Sequence, residues 1–217
     1  MLIHPPRQEV ARRALLARMN VTCGDVLLRP PTQKELLGCA ERIALEGIVG
    51  PEDPPFSRWY LPESKVKSAQ AFYEAFRRPT LAPRLGTWEL HFGVFVRGEM
   101  VGMQSLGGRD FERTATCRSS SWLFADVRGR GYGTASRFAV AHVAFVELGA
   151  KTIVSHSAPG NEASLRVSKK LGYEETGFEN FSYQGRELAL IRLELDARRY
   201  EDSSRPVVHA AGFACWQ

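Results

Sequence analysis

The sequence predicts an α+β fold with elements in the order βααβββαβαββ around a central mixed, largely antiparallel sheet, and three observations carry that expectation. Alternating runs pair across a short turn, as "TWELHFGVFV" does with "MVGMQSLGG" through "RGE". A strand-like run, a long stretch of helical period and a second strand-like run follow one another between Thr116 and Ser157, which makes a βαβ unit. Two further alternating runs, "TGFENFSYQ" and "ELALIRLEL", close the chain as a hairpin about Gly185.

Residues 1–24 read as an N-terminal helical extension, because "RQEVARRALLARM" has helical spacing, with Glu9 inside it, and lacks the apolar centre of a signal peptide. The main domain, residues 25–196, opens with the short strand "DVLLRPPT", stopped by two prolines. "QKELLGCAERIALEGI" is then a helix, and "VGPEDPPFSRWYLPES" is a loop rich in proline and aromatics. "KVKSAQAFYEAFRR" is a second amphipathic helix. After the hairpin, "GGRDFER" is a loop and "TCRSSSWLF" a strand that runs directly into "ADVRGRGYGTA". Phe138, Ala141, Phe145 and Leu148 mark a helix that Gly149 stops. "KTIVSHS" is a strand, and "NEASLRVSKKLGY" a helix with Asn161 as N-cap and Gly172 beyond its end. The tail, residues 197–217, is polar until "VVHAAGFACWQ", which is expected to add a strand or a subunit contact in a homo-oligomer.

Composition narrows the function. A chain of 217 residues suits one sizeable core, and 44% hydrophobic with 24% charged residues is a globular balance. No apolar run reaches 18 residues, so a membrane role is not expected. Cys23, Cys39, Cys117 and Cys215 are scattered without a C-x-x-C pair, which offers neither a metal site nor a disulfide framework and fits a reducing cytoplasm. The net charge of +5 comes from dispersed basic residues without interleaved aromatic platforms, so nucleic acid is not the expected partner.

The chemistry begins at the glycines. A strand leading through bare turns into a helix presents unshielded N–H groups and the positive end of a helix dipole, which suits phosphates. A P-loop needs a lysine after the last glycine, and there is none between Lys67 and Lys151. A dinucleotide fingerprint needs G-x-G-x-x-G, whereas the glycines here fall at 129, 131 and 133, with Thr134 in the last place.

Arg128-Gly129-Arg130-Gly131-Tyr132-Gly133 resembles the R/Q-x-x-G-x-G/A pyrophosphate signature of the GNAT acyl-CoA N-acyltransferases. "NEASLRVSKKLGY" is similar to that family's second signature, N-x-x-S-x-x-V-x-x-K-L-G-[FY], in the right order and at the expected separation. The resemblance covers about residues 25 to 196, is strongest from 116 to 175, and leans toward the branch typified by ribosomal-protein alanine acetyltransferases. It implies the GNAT fold, with the sheet splayed at the cofactor site, and an acyl-CoA, acetyl-CoA or succinyl-CoA, as donor. It further implies that the backbone of Trp122, Leu123 and Phe124 pairs with the pantetheine arm and that the N–H groups of Arg128, Gly129, Arg130, Gly131, Tyr132, Gly133 and Thr134 cradle the pyrophosphate. Arg130 and Arg137 would add charge for the phosphates, Asn161 would hold the arm, and Ser164 would lie near the sulfur.

The reaction so implied is attack of an amine on the thioester within a ternary complex. A lysine-like amine of pKa about 10.4 is neutral in only about one molecule in 2,500 at pH 7, so a base must take its proton. Many relatives place a glutamate where this chain has Arg118, and a tyrosine where it has Ser168. The candidates left are Asp110, His156, Glu89 and His91 for the base and Ser164 for the leaving thiolate. Acceptor selection is expected from Phe56, Trp59 and Tyr60 in the aromatic loop, and acyl selection from "RSSS", through Ser119 and Ser121 beside Arg118. With both usual catalytic positions changed, a CoA-binding module without turnover stands as the alternative.

Overall fold

The computed structural model describes residues 14–48, 64–77, 86–183 and 186–214. The aromatic loop with Phe56, Trp59 and Tyr60, and the turn at Gly185, lie outside them. One sheet of nine strands organises the molecule, in the order β7-β8-β6-β5-β4-β3-β2-β1-β9. Its strands are β1 (Asn20–Cys23), β2 (Val26–Arg29), β3 (Thr87–Val96), β4 (Glu99–Arg109), β5 (Thr116–Leu123), β6 (Thr152–Ser157), β7 (Glu174–Tyr183), β8 (Arg186–Asp196) and β9 (Val208–Ala211). Every neighbouring pair is antiparallel except β5 with β6.

Helices α1 (Gln33–Glu46) and α2 (Lys65–Phe76) cover one face, and α3 (Tyr132–His142) and α4 (Glu162–Leu171) the other, with α5 (Ala197–Asp202) after β8. Two apolar clusters record this division. Leu36, Ile43 and Phe72 meet Met103 and Phe124 under α1 and α2, while Phe138, Ala141 and Leu171 meet Leu106, Cys117 and Ile153 under α3 and α4. Each fully buried Leu, Ile or Phe side chain contributes about 1.5–3 kcal/mol. The N-terminus of α1 is a complete capping box: Thr32 Oγ1 accepts from Glu35 N–H, and the Glu35 carboxylate accepts from Thr32 N–H. Arg29 grips the same carboxylate at 2.5 and 2.9 Å. That hydrogen bond, ahead of the burial that opposes it, brings the Glu35 pKa down to about 2.

The N-terminal extension and the helix after the glycine turn depart from the sequence reading, while the tail takes the strand alternative offered for it. Residues 20–23, expected within a helical extension, form β1, because Val21 and Cys23 alternate inward and pair across Gly24 and Asp25 with β2. The tail folds back as β9 on the far edge of β1. The helix read as continuous to Leu148 changes to a π turn over Val143–Glu147 after α3 ends.

The feature that makes a site is where the sheet parts. β5 and β6 pair only over Thr116–Arg118 and Thr152–Val154. Beyond that point β5 keeps to β4 and β6 keeps to β8, leaving a wedge between them that opens toward their C-terminal ends. Both helix N-termini, those of α3 and α4, stand at that same end, where open sheets with parallel strands take their ligands.

Candidate active site

Backbone groups on β5 alternate between its two edges. Phe124 N–H donates to Val101 O at 3.0 Å, on the β4 side, so the backbone of Trp122 also faces β4. Ser119 O accepts from Ser155 Oγ on β6, and Leu123 O accepts from Arg128 Nε, both on the open side. Ser121 lies between them, so its N–H and C=O point into the wedge. The pantetheine partners expected at Trp122 and Phe124 are thereby corrected: those groups are turned to β4, and Ser121 with Leu123 N–H offers the open edge. The side chains of Trp122 and Phe124 pack instead edge to face beneath α1 and α2.

The glycine turn is open where a ligand would lie. Gly129 and Gly131 take φ of +76° and +85°, a conformation that side chains rarely adopt, and a Cβ on either would meet nothing within 4 Å. Gly131 is the N-cap of α3 and has no side chain to cap with, and the first bond of the helix runs from Ala135 N–H to Gly131 O. The N–H groups from Gly129 to Thr134 therefore meet no acceptor among the described residues. Tyr132 leans back on the core, and Gly133 lies against Leu123. The arginines of the turn serve its own shape. Arg128 donates to Leu123 O and, at 2.9 Å, to Ile48 O beyond α1, and Arg130 donates to Asp126 O at 3.2 Å. Asp126 in turn holds Arg42, whose guanidinium lies 3.9 Å from the centroid of the Phe124 ring.

α4 presents a different end. Asn161 Oδ1 accepts from Ser164 N–H at 3.1 Å, and the reciprocal capping-box bond is not made: Asn161 N–H goes to Ala158 O. Ser164 Oγ is left half-buried without a partner among the described residues. At the position of the usual tyrosine, Ser168 is buried with its Oγ unpartnered.

Period two divides "RSSS". Arg118 and Ser120 face the α1/α2 side, and Ser119 and Ser121 face α3, so the four do not form one cluster. The cation beside Ser119 and Ser121 is Arg137, which sequence reasoning assigned to phosphates. It is only 4% exposed, and its guanidinium donates to Ser155 Oγ at 3.1 Å and Ser121 Oγ at 3.4 Å, bridging the two strands that part. No carboxylate among the described residues pairs with it, and its Nε has no partner. Ser119 Oγ, Gln104 Oε1 and the Tyr173 hydroxyl are likewise buried and unpartnered on this face. A signal was present in the sequence: Arg137 falls in line with Val140 and Ala141 on the buried side of α3.

On the other face, beyond Arg118, stands His156. Its Nε2 lies 2.8 Å from Glu179 Oε2 on β7, and Glu179 Oε1 accepts from Arg118 at 3.1 Å. Arg192 on β8 completes the group, and the Phe181 ring stands edge-on to the imidazole. Burial lowers the His156 pKa, partly offset by Glu179. Against the burial that would raise it, the hydrogen bond from His156 and the charge of Arg118 hold the Glu179 carboxyl below its usual value. Glu179 escaped the sequence reading because a bulge between Glu175 and Gly177 resets the alternation of β7.

Of the remaining candidates, Asp110 falls away from the wedge. Asp110 sits in the left-handed region at the opposite end of β5, about 20 Å of strand from the glycine turn, and pairs with Arg113. That distance removes it as the base. His91, under Phe76 and 2.9 Å from Ser105 Oγ, is driven by burial to a pKa of about 4.

A sheet that parts beside an uncapped helix end is an arrangement suited to a phosphate-bearing cosubstrate held by backbone groups. The family model for the acetyltransferase (GNAT) domain matches residues 25–174, and the chain belongs to that family of N-acyltransferases. Its fold is shared with Mycobacterium smegmatis RimJ in complex with CoA-disulfide, at 19% identity over 87% of this chain and 88% of that one, TM-score 0.62. It is shared also with a GNAT-family acetyltransferase from Bacillus anthracis, at 15% identity over 82% and 98%, TM-score 0.60. A spermidine N-acetyltransferase SpeG chimera from Vibrio cholerae and hSSAT is similar at 15% identity over 82% and 99%, TM-score 0.58. Among the described residues no group of His, Cys, Asp or Glu is placed to hold a metal, and no helix is long and apolar enough to cross a membrane.

Proposed function

We propose that this chain transfers an acetyl group from acetyl-CoA to a primary amine, on a small molecule or at a protein N-terminus or lysine, by direct attack in a ternary complex. The observation that carries the reading is the α3 N-terminus, bare, positively polarised and open, beside the unpaired edge of β5. The residues present fit the donor. Ser121 and Leu123 N–H would hold the pantetheine arm, the N–H groups of Gly129 to Thr134 the pyrophosphate, and Asn161 the far side of the arm. The donor supplies a thioester, whose C–S bond breaks as the C–N bond forms.

The chain's own part is proton handling and placement. His156 Nδ1 takes the proton that the amine must lose, and Ser164 Oγ–H relays a proton to the departing sulfur, so that amide, free thiol and one released proton balance the reaction. Phe56, Trp59 and Tyr60 remain the expected acceptor contacts. Thiol release from acetyl-CoA tests the reading, with peptides bearing free N-terminal Ser or Ala, lysine peptides and spermidine as amines. Tight binding of acetyl-CoA with no thiol released by any amine would overturn it in favour of a CoA-binding module.

A second reading, transfer from succinyl-CoA, is favoured by Arg137. A buried guanidinium without a carboxylate, flanked by Ser119, Ser121 and Ser155, suits the terminal carboxylate of a dicarboxylic acyl group. Calorimetry with both thioesters separates the two. Preference for succinyl-CoA supports this second reading, and equal affinity removes it.

A further inference from the structure

The carboxylate that many relatives carry at the position of Arg118 is absent from β5, yet the site is not without one. Glu179 reaches the same face from β7, two strands beyond β6, and places one oxygen on His156 Nε2 and the other on Arg118. An ionised carboxylate only accepts hydrogen bonds, so Nε2 must carry the imidazole proton and Nδ1 the lone pair. Nδ1 makes no hydrogen bond among the described residues. His156 itself stands two residues past Val154, the last residue of β6 that pairs with β5, so it is located where the sheet has parted. Ser155, its neighbour on the opposite face, marks the depth of the wedge through its bond to Ser119 O.

We propose that Glu179 is a positioning residue for the transfer reaction: it fixes His156 in the Nε2–H tautomer, presents Nδ1 to the incoming amine, and balances the imidazolium formed when that amine loses its proton. Arg118 serves by holding Glu179 in place. The inference rests on the reading of His156 as the base. The arrangement has the logic of a base oriented by a carboxylate, in which loss of the carboxylate costs far more in rate than in stability.

The charged groups around His156 come from three strands and predict opposite signs. Glu179 on β7 favours the imidazolium, while Arg118 on β5 and Arg192 on β8, itself paired with Glu194, disfavour it. Glu179→Gln keeps an acceptor of the same shape without charge, so the His156 midpoint falls, by about one pH unit. The limb of the pH–rate profile that rises as His156 loses its proton then moves to lower pH, and its plateau drops about tenfold or more. Arg118→Gln moves the same midpoint upward.

Ring-nitrogen NMR of the full-length chain, read across pH, supplies a measurement that needs no acceptor. The proposal expects the Nε2–H tautomer in the wild type and a mixture in Glu179→Gln, with melting temperature and acetyl-CoA affinity near those of the wild type. A wild-type tautomer mixture, or one that Glu179→Gln leaves unaltered, overturns it. His156→Gln tests the reading beneath. If that variant keeps the wild-type rate with the amine that turns over best, His156 is not the base. If His156→Gln is inactive while Glu179→Gln keeps the wild-type rate and profile, the base reading stands and the positioning role fails.

Discussion

α3 and α4 begin at the same end of the sheet, each just after one of the two parallel strands, yet their N-termini are built in opposite ways. α4 is closed by its own Asn161, which engages the N–H of Ser164, while α3 starts on Gly131 and leaves its first N–H groups unmet. A helix that needed only to be stable would use the first design, since an Asx or Ser/Thr cap is worth about 1 kcal/mol. The open end of α3 forgoes that gain and leaves its donors in the geometry that suits an anion. On the proposed reading the difference puts the donor's phosphates at α3 and gives α4 the lesser, lateral role.

Giving α3 the cap it lacks should break this contrast most strongly. Gly131→Asp places a carboxylate beside the N–H groups of Tyr132 to Thr134, in a left-handed position that Asp tolerates better than most residues. Affinity for acetyl-CoA should fall about 100-fold by calorimetry while the melting temperature stays within a few degrees, and unchanged affinity would remove the phosphates from this end. Six residues further along, Arg137→Met tests the wedge. If the buried cation reads a carboxylate, discrimination between succinyl-CoA and acetyl-CoA should drop about tenfold or more, whereas a purely structural strut would weaken both thioesters equally.

Removing the cap that α4 does have should act mainly on stability. Asn161→Ala is expected to cost about 1 kcal/mol, seen as a melting-temperature loss of about 2–4 °C, with a smaller effect on the acetyl-CoA affinity than at Gly131. The capping box of α1, set after β2 rather than on the two parted strands, sharpens the comparison as a stability element. The Glu35 carboxyl titrates at about 2 in the folded chain against an ordinary 4.5. Its contribution is therefore complete above the ordinary value and is lost as pH falls toward 2. Glu35→Gln should lower stability at pH 7 by about 1–2 kcal/mol, the gap from wild type closing toward pH 2, with acetyl-CoA binding unchanged at neutral pH.

Much of the frame was legible residue by residue. The hairpin of β3 and β4 turns where Arg97 and Gly98 both take positive φ, and α4 starts on Asn161 and stops on Gly172 as their chemistry requires. These features follow from backbone preferences within a few residues. β1 was harder, because four residues are too few to show a period and β1 gains its meaning only from β2 and β9. The site divides in the same way. The glycines announce an anion site because φ and the missing Cβ are local properties, whereas the face that Ser119 or Arg118 points to depends on strand register.

By itself, then, the sequence determined the family's class of cosubstrate and the place of the glycine turn proposed to hold it, since the turn lies in a dozen contiguous residues whose backbone has few alternatives. Tertiary structure alone decided the rest. Arg137 passed from an expected phosphate contact to a buried bridge because α3 packs onto the parted strands. Asp110 lost its claim through the length of β5, and Glu179, 61 residues from Arg118 in the chain, gained one through the pairing of β6, β8 and β7. Such groups meet only when long loops close, and no local preference encodes a contact that the whole sheet must form first.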